Sequence, residues 1–438
     1  MDDPTIESTA IESTHSKSAT SLSRSRSLRF QKIRHQSVAY CQPLALEDYG
    51  LQAMAETSPP KWHLAHTTWF FETFILKPFV NDYCSPNPQY EVLFNSYYNG
   101  IGRQHPRHQR GLLSRPSVEE VLEYRGLIDQ QIIDLLNHTD HPHHGEILTR
   151  LELGLNHEQQ HQELFFTDLK YSFFQNPLYP TYANTALSST DKPALNRTWI
   201  DYQGGLIAVG QQQEDFCFDN ELPRHQVMLT PFQLANRLVT NGEFLAFIED
   251  GAYQRPDLWL ADAWATVQQH QWRAPLYWLR QDNQWLEYTL HGLAPVDYER
   301  PVVHVSAYEA DAYARWAEAR LASEFELEYA ANQQAITGQF ITGQFIDNGE
   351  FHPQATQQDN QVYGTAWEWT HSAYGPYPNF RAGKGAIGEY NGKFMCNQLV
   401  LRGGSCVTSR DHIRSSYRNF FYPQDRWQFS GIRIAQSA

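Results

Sequence analysis

Asn156-His157-Glu158-Gln159-Gln160-His161-Gln162-Glu163-Leu164 lies inside a run of helix-favouring residues from about Gly145 to Phe174. Two histidines four apart on an α-helix share one face and can hold a single metal ion. The same letters spell H-E-x-x-H, a pattern in which the glutamate acts as general base beside a zinc ion. The plainer alternative is two histidines on a polar helix face with no metal. Spacing alone leaves both open.

A metal held by this pair would need a third ligand from elsewhere in the chain. Helical patterning begins at Leu28–Tyr40, and Leu44–Glu56 reads as a second helix ending before Ser58-Pro59-Pro60. Prolines suit a first turn, so these open the next helix, Lys61-Trp62-His63-Leu64-Ala65-His66-Thr67-Thr68-Trp69-Phe70-Phe71-Glu72. It carries two histidines three apart among large apolar residues. Ser117 reads as an N-cap with Glu119 and Glu120 in the first turn, followed by Val118, Val121, Leu122, Ile128, Ile132, Leu135 and Leu136 at helical spacing. Residues 28–175 thus read as a bundle of about four helices, an architecture that builds metal sites from facing helices. Two loops interrupt it. One carries Arg103, Arg107 and Arg110, whose planar forks suit a carboxylate, although a solvated surface loop has the same composition. The other, Asn137–Gly145, is rich in histidine and contains Pro142, which fits adventitious surface binding better than a working site.

Composition bounds the function. The 438 residues suffice for two or three domains, and 41% hydrophobic content predicts that most of them are globular. A net charge of -15 without a long basic run argues against nucleic acid and anionic membranes as partners. Five dispersed cysteines (Cys41, Cys84, Cys217, Cys396, Cys406), none in a C-x-x-C pair, argue against a disulfide framework or a cysteine-rich zinc site and fit the cytoplasm. No apolar stretch is long enough to span a bilayer. Residues 1–27, rich in Ser and Thr and without an apolar segment, read as a disordered tail and not a secretory signal.

Composition changes near Gln175. Pro177, Pro180 and Pro193 mark a linker over 176–196, and from Arg197 the chain shows short strand-like runs with many Gly and Trp. One long helix is expected, over Ala307–Ser323. A direct repeat, Ile336–Phe340 followed by Ile341–Phe345, reads as a small loop duplication. The signposts Gly204–Gly210, Phe216–His225, Val239–Phe244, Pro301–Ser306, Ala366–Thr370, Leu401–Ser405 and Gly431–Arg433 follow one another. In this order they resemble the formylglycine-generating-enzyme (sulfatase-modifying factor) fold, an irregular α+β domain related to C-type lectins, over residues 197–438. One departure is Arg320–Tyr329, where Ala322, Ser323 and Leu327 stand at positions usually held by Pro, Thr and Trp. Only local repacking is expected there. The substrate-oxidising cysteine pair of the formylglycine-generating enzyme has no match, so that activity does not carry over.

An all-α DinB-like four-helix bundle over 28–175, fused to such an α+β domain, resembles the iron-dependent sulfoxide synthases of ergothioneine biosynthesis. Ser96-Tyr97-Tyr98 and Arg107-x-x-Arg110-Gly111 resemble the branch that takes free cysteine. The resemblance implies Fe(II) held by His66, in Leu64-Ala65-His66, with His157 and His161. It implies hercynine, L-cysteine and O2 as substrates. Gln160 and Asn419 would contact the hercynine imidazole, and Phe420 and Phe421 its trimethylammonium group. Arg107 and Arg110 would bind the cysteine carboxylate, and Tyr97 or Tyr98 would donate a proton. Zinc lacks the redox chemistry O2 requires, whereas Fe(II) on three neutral imidazoles varies the facial triad of non-haem oxygenases. The alternatives are an ovothiol-type 5-histidylcysteine sulfoxide synthase, a selenoneine synthase, a non-catalytic ligand-binding module and a zinc hydrolase.

Overall fold

The computed structural model describes residues 6–188, 193–212, 216–336 and 343–438. It divides into two compact units, Met1–Phe165 and Phe166–Ala438. The expected boundary, residue 175, lies further along the chain.

The first unit is helical. Its long helices are α1 (Ile6–Cys41), α2 (Pro60–Phe71), α3 (Val118–Asn137) and α4 (His144–Phe174), the last running on into the second unit. The composition of residues 1–27 predicts a disordered tail, yet the backbone is helical from Ile6. Residues 6–41 contain no Pro or Gly to interrupt the ladder. Among the residues whose side chains are described, from Arg24 on, the first buried ones are Ser27 and Phe30. Pro60 occupies the first turn of α2, where its missing N–H costs nothing. Ser117 caps α3 in a reciprocal box with Glu120, as the sequence predicts. Leu44–Glu56 is not a helix. Only a 3-10 turn, Leu46–Gly50, forms there, and the chain continues irregularly to Pro59. Gln52 uses its side chain to bond the backbone of Thr57, Arg107 and Gly111, which fixes the loop tertiarily.

Close approach of α4 to α2 depends on Gly154. A Cβ there would lie 2.5 Å from the Phe71 ring, so only glycine admits that ring. Phe71 in turn meets Phe30 of α1 edge-on at 5.2 Å.

The second unit is α+β. Strands β1 (Trp199–Tyr202), β4 (Phe232–Ala235), β13 (Ile434–Ser437) and β8 (Arg320–Leu321) form one sheet in that order, antiparallel throughout. A second sheet runs β11 (Asn419–Phe421), β10 (Leu399–Arg402), β9 (Trp367–Ala373), β12 (Ser430–Gly431), with β12 parallel to β9. β2 (Gly205–Val209) pairs with β3 (His225–Leu229), and β5 (Trp278–Gln281), β6 (Gln284–Thr289) and β7 (Gly292–Pro295) form a meander. Helices α5 (Asn241–Glu249), α6 (Ala261–His270), α7 (Ala307–Trp316) and α8 (Glu324–Ile336) lie between them in sequence. The helix expected over Ala307–Ser323 therefore stops at Trp316 and yields to β8. Ser323 opens α8 instead: its hydroxyl accepts from Glu326 N at 3.1 Å and its N–H donates to the Glu326 carboxylate at 2.7 Å. Most of the direct repeat lies outside the described residues.

The sequence signposts are structural fasteners. Arg433 holds Glu368 through two bonds of 2.8 and 2.7 Å and reaches the Ala235 carbonyl at 2.8 Å. The Trp369 indole donates to the Val305 carbonyl at 2.9 Å. Arg402 and Arg418 share the buried Glu324 carboxylate. All five cysteines are free.

Candidate metal centre

The i, i+4 spacing on α4 puts His157 and His161 on one face, and α2 brings His66 against them. One ring nitrogen from each of the three can be chosen so that all lie within 4.8 Å of one another. Among the described residues this is the one such cluster. His66 Nε2 and His157 Nε2 are 3.2 Å apart. His66 Nδ1 donates to the Phe94 carbonyl at 2.6 Å, which fixes its tautomer and leaves the Nε2 lone pair for a ligand bond. Burial holds His66 well below the ordinary histidine range, with His157 nearby adding to the effect. Burial likewise lowers His157 to about 3 and depresses His161. The three imidazoles are therefore neutral, the protonation state metal binding requires.

Aromatic rings enclose them. Trp62 stacks on His66 at 4.5 Å with planes 8° apart, Trp69 faces the same ring at 5.5 Å, and Phe70 lies 4.5 Å from His157. His63, one turn before His66, sets its Nδ1 2.9 Å from Nδ1 of His161. In the sequence His63 is one of two histidines three apart on this helix, with no role of its own. Its contact with His161 depends on the angle between α2 and α4, which no local pattern reports.

Glu158 faces away from the ligands. Its carboxylate accepts from Arg34 of α1 at 2.8 Å, from Ser37 at 2.6 Å and from Arg125 of α3. Burial alone would raise its pKa; Arg125 and Arg34 overcome that and hold it near 2. Locked as an anion among cations, it is not placed as a base for a zinc-bound water.

The other expected site residues divide. Tyr98 is fully buried, packed on Phe74 at 5.1 Å and near Trp69 at 5.7 Å, and Tyr97 stacks on it at 4.5 Å. The Asn95 side chain grips Tyr98 by its backbone N–H and carbonyl, both at 2.9 Å. Arg110 is buried, lies 3.5 Å from the Trp62 ring centre and donates to Ser58 at 2.9 Å, so its charge stands beside the histidines. Arg107 is not brought there. It is exposed and donates to the Glu56 carbonyl. Gln160 is half-buried on α4 next to His161.

Asn419, Phe420 and Phe421 belong to the second unit, on β11. Strand alternation sends neighbouring rings to opposite faces. Phe420 stacks on Tyr374 at 4.0 Å, whereas Phe421 meets Trp427 at 6.1 Å. The Asn419 side-chain oxygen accepts from Phe420 N at 2.9 Å.

Family models match both units. The DinB superfamily covers residues 29–165, and the sulfatase-modifying factor enzyme 1-like domain covers 185–364 and 360–438, more than half the chain. The chain belongs to the sulfatase-modifying factor enzyme 1-like family. In this member a DinB domain precedes the family domain. It is 27% identical over 410 residues to a hercynine oxygenase of Mycolicibacterium smegmatis, covering 86% of this chain and 91% of that one. It is 29% identical over 406 residues to a hercynine oxygenase of Mycobacterium tuberculosis, covering 86% and 91%. Ergothioneine biosynthesis protein 1 of Schizosaccharomyces pombe is 26% identical over 240 residues, covering 51% of this chain and 28% of that one. Among the described residues of this family member, no helix is long and apolar enough to cross a membrane.

Proposed function

We propose that the protein is a non-haem Fe(II)- and O2-dependent sulfoxide synthase of ergothioneine biosynthesis, joining the sulfur of L-cysteine to C2 of hercynine and oxidising that sulfur. The observation that carries this reading is the cluster of three neutral histidines, two buried and one half-buried, in a chain that aligns over most of its length with hercynine oxygenases. The reaction balances as a four-electron oxidation. Loss of the imidazole C–H and the thiol S–H supplies two electrons and sulfur oxygenation two more. O2 accepts all four, one oxygen entering the sulfoxide and the other leaving as water.

The donor set fits such a metal. His66 is anchored through Nδ1, the rings are neutral and no carboxylate competes at the cluster. Iron held there by His66, His157 and His161 would supply the one-electron chemistry that O2 needs and zinc lacks. The remaining roles fall to the protein's own groups. Uncharged ligands leave the charge balance open to an anionic thiolate. Arg110, buried beside the centre, is better positioned than Arg107 to hold the cysteine carboxylate. A tyrosine at position 97 or 98 would deliver a proton from its phenol oxygen. Gln160 and Asn419 are assigned to the hercynine imidazole. Phe420, extended by Tyr374, is assigned to the trimethylammonium, which cannot donate hydrogen bonds and suits an aromatic face. Phe421 lies on the opposite face of the strand, against Trp427, and is not assigned to that contact.

The test is anaerobic reconstitution with Fe(II), then hercynine, cysteine and air. Hercynyl-cysteine sulfoxide by mass spectrometry is expected, and its absence would sink the reading. Histidine, γ-glutamylcysteine and a selenium donor, run alongside, separate the ovothiol-type and selenoneine alternatives. A ligand-binding module would purify without iron. The burial of Glu158 between two arginines disfavours a zinc hydrolase.

A further inference from the structure

Resting on the reading that His66, His157 and His161 hold a metal, we propose that His63 is a positioning residue for that centre. It holds His161 in the tautomer and ring orientation that present Nε2 to the ion.

The geometry begins with the Nδ1 to Nδ1 separation of 2.9 Å between His63 and His161. A hydrogen bond between two neutral imidazoles needs one N–H and one lone pair. With Nδ1 of His161 engaged by His63, Nε2 is the nitrogen left for an ion. A ligating Nε2 must carry no proton, so the proton of His161 sits on Nδ1 and is donated to His63. His63 accepts at Nδ1 and carries its own proton on Nε2. Metal-bound histidines depend on such a partner for tautomer, orientation and basicity. His66 already has one in the Phe94 carbonyl. His63 supplies the equivalent for His161, from the same helix and one turn away.

His63 also lines a cavity of about 20 Å³ together with Ser37, Thr67, Glu158 and Gln162. That volume has room for about one water, and its wall is mostly apolar, with Tyr40, Cys41, Pro60, Leu64 and Phe165 also lining it. Glu158 is a fixed anion, held so by Arg125 and Arg34. His63 is not a fourth ligand: the convergent donor set is His66, His157 and His161.

The experiment titrates metal-free full-length protein with Co(II), read by its visible absorption, and follows thermal unfolding of each metal-free variant. His63→Phe keeps a ring and removes both nitrogens. His63→Asn places an amide oxygen near the lost Nδ1. His63→Phe is expected to bind Co(II) about 10–100-fold more weakly, with a changed absorption envelope. His63→Asn should restore most of the affinity and the envelope. Wild-type affinity and spectrum in His63→Phe would overturn the proposal. Equal losses in both variants, accompanied by equal drops in metal-free unfolding temperature, would assign His63 to packing and overturn it as well. Failure of the underlying reading is distinguishable, because wild-type protein would then show no Co(II) spectrum, or His66→Ala would keep it.

Discussion

Arg34 donates to Glu158 at 2.8 Å, joining side chains that are 2% and 1% exposed and 124 residues apart. Arg125 reaches the same carboxylate, so one anion ties α1 and α3 to α4. Glu158→Gln leaves two buried guanidinium groups under-compensated. It should cost about 3–5 kcal/mol in urea unfolding, the usual result of breaking a buried pair from one side. Co(II) binding by the folded fraction should persist. A hydrolytic base at this position would give the opposite pattern, with stability kept and turnover lost.

The two loop arginines should separate kinetically. Arg110→Met removes a buried charge beside the histidines and should raise KM for cysteine by about 10–100-fold, the range of one charged hydrogen bond. Arg107→Met, at an exposed side chain bonded to the Glu56 carbonyl, should leave that KM near wild type. Steady-state kinetics at saturating hercynine decides, and equal effects would remove the distinction.

Acid should loosen the metal-free protein in a defined window. An unfolded histidine titrates near 6.5, whereas burial holds folded His157 to about 3. The folded state excludes the proton over that interval. Its contribution to stability is complete above pH 6.5 and is lost as pH falls toward 3. Glu158 acts in the same direction lower down, complete above its unfolded value of 4.5 and lost toward 2. Unfolding temperature should be level above neutrality and decline below about pH 6.5. His157→Gln should make the upper part of the decline shallower.

A second buried pair gives a prediction within the α+β unit. Lys170 lies 2.8 Å from His304 Nε2, with its charge over the Tyr277 and Phe429 rings. Burial pushes Lys170 down to about 8 and Glu287 up to about 7, while each opposes the other's shift. Lys170→Met alone should destabilise by leaving buried Glu287 without its neighbouring opposite charge, and Lys170→Met with Glu287→Leu should recover most of that loss. A double-mutant cycle in urea measures the coupling.

Gly154→Ala tests the approach of α4 to α2. Its Cβ would lie 2.5 Å from Phe71, so the helices must shift. A loss of roughly 1–3 kcal/mol is expected, with weaker Co(II) binding because His157 moves relative to His66. Unchanged affinity would show that the cluster tolerates the shift.

The parts legible in the sequence were those written locally. The i, i+4 spacing of His157 and His161, the capping pair Ser117 and Glu120 and the opening Pro60 all depend on residues within a turn of each other. Local pattern did not choose between His63 and His66; only the family resemblance, through Leu64-Ala65-His66, pointed to the ring that meets them. The remainder needed distance in sequence. Leu44–Glu56 has helical letters, yet Gln52 binds backbone from Thr57 to Gly111 and the segment stays irregular. Helix α7 stops at Trp316 because β13 recruits Arg320–Leu321 as a sheet edge. The arginines that neutralise Glu158, and the bond from His63 to His161, cross between helices and leave no periodic trace.

The flat stack of Trp62 on His66, with planes 8° apart at 4.5 Å, also gives the protein an optical gauge. An indole that close to an open-shell ion loses its emission, so metal loading should dim Trp62 fluorescence. Trp69, which faces the same ring at 5.5 Å, should dim as well, so Trp62→Phe is expected to remove part of the change and not all of it. Occupancy of the histidine cluster could then be followed in real time, without substrate and without a foreign probe.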